Sequence, residues 1–187
     1  MSMDIDWIEV PGGLCAFGDE ARPRTVATLL WTRTPITFAQ LTGDHRGQDG
    51  LHPATGLTHT QAADYARGLG GRLPSSVEWE WMAGGIERRR WPWGEDAWSP
   101  ELANLRDSSH GATTPVDAHP GGATPQGLVD VAGNVWEWTV RVTMGNGVVL
   151  RGGSYASPPL YAQTTFLNAA PAELASPGIG FRVVRKP

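Results

Sequence analysis

Cysteine is nearly absent: Cys15 is the only one in 187 residues. A single thiol excludes an intrachain disulfide, a thiolate zinc cluster and a Cys-Cys redox pair. Lysine is equally scarce, Lys186 being the only one among 15 basic residues, and the one dense basic run is Arg88-Arg89-Arg90. With a net charge of −4, the chain has no broad basic face, so a DNA or RNA partner is not expected. No apolar run approaches the roughly 20 residues that cross a bilayer, so no membrane span is expected. The opening residues, Met1 to Asp6, lack a basic region followed by an apolar one. No secretory leader is therefore expected, and the cytoplasm is the default, with surface display by another route left open.

What the chain does have is turns and tryptophan. Its 187 residues fit one domain of about 100–200 residues, expected to run over 1–187. The 24 glycines and 15 prolines follow no collagen period and argue for many loops. The nine tryptophans suit that architecture, since each buries a large area and can donate an indole N–H to a loop carbonyl.

Trp7 to Val10 reads as a short strand ended by Pro11-Gly12-Gly13, and Thr25 to Thr32 as a second strand. Thr58 and Gln61 have capping-box spacing and predict a helix that ends at Gly70-Gly71. Ser75 and Glu78 repeat the signal for a helix ending at Gly84-Gly85, with Val77 and Trp81 on its inner face. Glu78 and Glu80 diverge on that helix and suit solvated or structural roles. From Arg90 to Asn134 the pattern is irregular, and such a length of loop needs an ion or a dense side-chain network to hold it. Val148 to Arg151 and Phe181 to Arg185 read as strands. Two short helices among strands and long loops make an α+β domain.

The five histidines, His45, His52, His59, His110 and His119, show no metal-binding spacing. The segment from Gly152 to Phe181 carries one charge, Glu173. Small, hydroxyl and apolar residues dominate it, and an exposed segment of that kind behaves as a binding surface.

Four stretches occur in order: GRLPSSVEWE from Gly71, WPWG from Trp91, GLVDVAGNVWEW from Gly127 and LRGGS from Leu150, closed by Gly180-Phe181-Arg182. Together they resemble the formylglycine-generating enzyme / sulfatase-modifying factor family, and VPGGLCAFG and PITFAQ (Pro35 to Gln40) fit the same pattern. The resemblance implies a C-type lectin fold of the formylglycine-generating-enzyme type. It brings the two terminal strands together, Ile8 to Val10 near Phe181 to Val183.

It also implies structural calcium. The matching ligands are the side chains of Asp130 and Glu137 and the carbonyls of Gly133 and Val135. A second site would use Asn104 and the Leu105 carbonyl, with Asp107 and Asp117 as weak substitutes for its later ligands. Acids flanking a Gly-Asn turn can supply the six to eight oxygens that calcium takes.

The family's oxidase chemistry uses copper held by two cysteines between the RGGS-like strand and the GFR terminus, because copper(I) prefers thiolates. None stands between Ser154 and Phe181, so no copper and no such oxidase activity are expected. Relatives that use non-haem iron carry its ligands on a separate helical domain, so no such iron site is expected within these residues.

The brackets LRGGS and GFR with an uncharged segment between them also resemble the variable proteins of diversity-generating retroelements. That resemblance implies a non-enzymatic protein with a variable region over about 150–185 and an unknown protein or other macromolecular ligand. The ligand-contacting residues would be Tyr155, Ser157, Leu160, Tyr161, Gln163, Thr165, Phe166, Leu167, Asn168, Glu173 and Leu174. Aromatic anchors dominate binding energy in such surfaces. A divergent enzyme or accessory protein of the family, without the copper cysteines, is the alternative.

Overall fold

The computed structural model describes residues 5–44 and 48–187, without the side chains of Gln48 and residues 141–143. Met1 to Asp4 and His45 lie outside the described residues. Nine strands form three sheets among the described residues. Strands β1 (Trp7–Val10), β4 (Leu29–Thr32) and β9 (Val184–Arg185) make the first, in the order β1-β4-β9. β2 (Gly13–Phe17) and β3 (Arg22–Val26) form a separate ribbon. The main sheet runs β7 (Asn168–Ala170), β6 (Gly147–Arg151), β5 (Trp136–Met144), β8 (Ile179–Gly180). The two terminal strands share a sheet as expected, but β4 lies between them.

The expected strand Thr25 to Thr32 is split between β3 and β4. The break has a cause at Thr28, whose Oγ1 accepts the Gly12 N–H at 2.9 Å. There the chain leaves the ribbon for the first sheet, and a Cβ at Gly12 would lie 2.4 Å from the Val26 carbonyl oxygen.

Helices α1 (Phe38–Thr42), α2 (His59–Gly68) and α3 (Ser76–Gly84) each open with a complete capping box, at Thr37/Gln40, Thr58/Gln61 and Ser75/Glu78. Each box satisfies N–H groups that the first helical turn leaves unpaired. The inner face of α3 is Ser76, Trp79, Glu80, Met82 and Ala83. Val77 and Trp81 are only half-buried, which corrects the expected face. Trp81 instead packs against Gly13 of the ribbon and donates its indole N–H to the Pro11 carbonyl at 2.8 Å.

Trp31, Trp79 and Trp138 are buried in the core. Trp93, Trp98 and Trp138 donate their indole N–H groups to the carbonyls of Asp96, Ala103 and Leu57.

The long stretch before β5 is held by side chains. Asn134 is fully buried, and its amide exchanges hydrogen bonds with both backbone groups of Thr114, at 2.9 and 3.1 Å. Its Oδ1 also accepts from Asn104 Nδ2 at 3.2 Å. Two primary amides thus tie together loops far apart in sequence. Among the described residues no helix is long and apolar enough to cross a membrane.

Candidate ligand-binding cleft

Arg151 closes β6 and Arg182 follows β8, and both side chains are fully buried. Arg151 bonds Glu80 at 2.5 Å, and its guanidinium lies 5.1 Å from the Trp79 ring centroid. Arg182 Nε donates to Glu137 Oε1 at 2.8 Å, while Trp79 Nε1 donates to Glu137 Oε2 at 2.8 Å. Trp79 therefore joins the two brackets of the segment 152–181 through one indole. Burial pushes the Glu137 carboxyl up from its ordinary range, against Arg182 and Trp79, which favour its charged form. Burial likewise lowers the Arg151 guanidinium, opposed by Glu80.

Between the brackets the backbone is pinned at intervals. Gly152 and Gly153 have φ values of 97° and 75°, and a Cβ at Gly152 would lie 2.7 Å from the Val131 carbonyl oxygen. Glycine is required there for both reasons. Ser157 Oγ accepts the Ser154 N–H at 3.0 Å, and Thr164 bonds the Arg89 and Arg90 carbonyls. Arg151 Nη1 donates to the Phe166 carbonyl at 2.9 Å. The carbonyls of Ala172, Ser176 and Gly178 accept from His59, Gly56 and Trp136. This is a fixed loop, not a slack one.

The side chains leave an open cleft of about 320 Å³ over the main sheet. Trp136, Leu150 and Ile179 line its base, and Asn168 to Ala170 of β7 form one side. Ser154 to Ala156, Leu174 and Ser176 to Gly178 complete the wall. Successive strand residues face opposite ways, so Trp136 meets the cleft while Glu137 turns to Trp79. No charged side chain lines the cleft.

Of the expected contact residues, Tyr155, Asn168 and Leu174 line this cleft. Beside it Tyr161 and Phe166 stack at 4.5 Å, each 6.4 Å from the Trp136 ring. Leu160, Leu167 and Glu173 are exposed, and Gln163 and Thr165 are half-buried. Ser157 is a correction: it is 5% exposed and faces inward to Ser154. A hydroxyl that caps a backbone N–H is scaffold. Sequence reasoning missed Trp136, Leu150 and Ala169. Trp136 stands in the GNVWEW run, where every aromatic reads as core.

Five of the six expected calcium ligands already serve protein donors. Glu137 accepts from Trp79 and Arg182, and Asp130 Oδ2 accepts the Asp117 N–H at 2.8 Å. Asn104 Oδ1 accepts from Ser108 Oγ, the Gly133 carbonyl accepts from the Val135 N–H, and the Leu105 carbonyl accepts from both Ser108 donors. Among the described residues no three His, Cys, Asp or Glu side chains converge to hold a metal ion. As arranged, Arg182 balances Glu137, and the side-chain oxygens of Asp130 and Asn104 each accept a hydrogen bond from the protein. Burial pushes the Asp130 carboxyl up to about 6. Cys15 is buried in β2, and burial pushes its thiol up to about 11.

The description "Sulfatase-modifying factor enzyme 1-like domain" belongs to the family whose pattern residues 31–187 match. Hercynine oxygenase of Mycolicibacterium smegmatis is 34% identical over 146 residues, which cover 64% of this chain and 34% of that protein. Formylglycine-generating enzyme of Streptomyces coelicolor is 32% identical over 186 residues, covering 81% of this chain and 57% of its own. The chain thus spans from about a third to just over half of the length of these relatives. The solved structure of Treponema denticola variable protein 1 superposes with a TM-score of 0.81 at 19% identity, over 97% of this chain and 95% of its own. The α+β architecture is accordingly the C-type lectin fold in its formylglycine-generating-enzyme form. The chain belongs to the sulfatase-modifying factor enzyme 1-like domain family.

Proposed function

We propose that this chain is a non-enzymatic ligand-binding protein whose surface between about Leu150 and Arg185 is diversified by a retroelement. The ligand is a protein or another macromolecule. The observation that carries the reading is the division of labour along this segment. Arg151 and Arg182 are wholly buried, while Leu160, Tyr161, Leu167 and Leu174 are 55%, 37%, 36% and 42% exposed. Backbone anchors fix the path, so exposed side chains can be exchanged with little effect on the core. A fold shared with a protein named as variable supports the same reading.

The test lies in the flanking DNA. The reading expects a reverse-transcriptase gene and a near-repeat of the codons for about Leu150 to Arg185, differing at adenines. A locus with neither ends it.

The relatives named above as an oxygenase and a formylglycine-generating enzyme favour a second reading, a divergent enzyme or accessory protein. Copper or iron retained in stoichiometric amount after purification would favour that reading over the first.

A further inference from the structure

We infer that the free edge of β7 is a strand-addition site, at which an extended, uncharged segment of a partner protein pairs with Ala169 after displacing the Asn168 amide. The inference rests on the ligand-binding reading above and names the occupant of the same cleft.

The register fixes which groups face outward. β7 is the outermost strand of its sheet, and Ala169 stands opposite Val149 of β6. Thr139 Oγ1, from β5, donates to the Val149 carbonyl at 2.8 Å. The polar groups of Val149 therefore point to β5, away from β7. In an antiparallel ladder a facing pair either exchanges both of its hydrogen bonds or exchanges neither. Val149 and Ala169 are a pair that exchanges neither, so the Ala169 N–H and C=O point off the open edge. That edge borders the cleft, whose wall includes Asn168, Ala169 and Ala170.

The outward N–H is not bare. Asn168 Oδ1 accepts it at 2.9 Å, a contact between neighbouring residues. The Ala169 carbonyl leaves the strand on the same side, by the same register. Proteins guard open strand edges because such edges pair with other chains. Here the guard is one side-chain amide that a χ rotation removes. An incoming strand can supply the replacement acceptor and a donor for the carbonyl, which is the hydrogen-bond pattern of strand addition.

The cleft sets the chemistry of the incoming side chains. Its walls carry no charge, so a charged side chain placed there would lose water without gaining a partner. Trp136, Leu150, Tyr155 and Leu174 offer apolar and aromatic contact. At about 320 Å³ the cleft lies at the small end of ligand pockets, which run from about 300 to 1,000 Å³. It suits a few side chains of a strand, not a folded domain.

The probe is a phage-displayed library of random linear peptides, selected on the immobilised full-length chain. The expected winners are uncharged over the paired stretch. Methylating their backbone nitrogens one at a time weakens binding at least tenfold at positions of one parity and little at the other. Asn168→Ala, which removes the competing acceptor, tightens binding roughly three- to tenfold, as loss of one modest hydrogen bond implies. Peptides that bind regardless of methylation at either parity overturn strand addition, and so does a selection that yields no binder. In the first case Leu174→Arg separates the two levels of the account. If it abolishes binding, the cleft reading stands without the strand. If it leaves binding intact, the cleft reading fails as well.

Discussion

Arg182 donates its Nε hydrogen to Glu137 at 2.8 Å, and neither side chain reaches solvent. The same guanidinium bonds the carbonyls of Thr32, Arg33 and Val129, so one residue joins the end of the chain to β4 and to the loop before β5. Such a pair need not stabilise more than an apolar substitute would, yet losing one partner leaves a buried charge alone. Arg182→Met is expected to cost about 3–5 kcal/mol in urea unfolding. Arg182→Met combined with Glu137→Leu is expected to cost less than the sum of the two single changes.

Trp79 offers a finer test of the link between the brackets. Trp79→Phe keeps most of the packing and removes the N–H that reaches Glu137. The expected loss is about 1–3 kcal/mol, the cost of an unmet buried acceptor. A double-mutant cycle with Glu137→Gln should show coupling between the two sites. A coupling of zero would mean that the brackets are held independently.

Asp130 gives the pH dependence. Its folded value is raised to about 6 from an ordinary 3.8, chiefly by burial, with the Asp117 N–H opposing. A raised folded value means that the fold favours the protonated acid. That stability is fully present below about pH 4 and is lost as pH rises through about 6. Asp130→Asn removes the charge and suits the positive φ of 53° at this position. In chelator-containing buffer it is expected to stabilise the protein by up to about 3 kcal/mol at pH 7. The advantage should vanish below pH 4, as read from unfolding curves at several pH values.

Calcium is addressed by melting the chain in excess chelator and in added calcium. Because protein donors already meet the oxygens of Asp130, Glu137 and Asn104, the melting temperature should be the same in both. A marked rise with calcium would show that these groups rearrange around a cation.

Much of the fold was legible in sequence because its signals are local. The capping boxes at Thr58 and Ser75 marked two helix starts, and the Gly70-Gly71 and Gly84-Gly85 pairs marked their ends. The box at Thr37 was equally plain but opens a helix of only five residues, too short for a repeating apolar face. What could not be read was long-range. Nothing near Glu80 signals the buried Arg151, 71 positions away. Nor does Val77 reveal that the ribbon would draw Trp81 outward. The site was legible as a segment between two brackets. Its floor was not, because Trp136 faces the cleft only through the register of β5 against β8.

The central claim is that fixed brackets carry an exchangeable surface, and urea unfolding of two variants tests it most directly. In the first, Leu160, Tyr161, Leu167 and Leu174 are all replaced by serine; in the second, Arg151 alone becomes Met. Exposed substitutions cost up to about 0.5 kcal/mol each, so the first variant should lose no more than about 2 kcal/mol. The second should lose about 3–5 kcal/mol, because it leaves Glu80 buried and unpaired. If the four surface changes destabilise the chain as much as the loss of Arg151, the segment is core and the account is wrong.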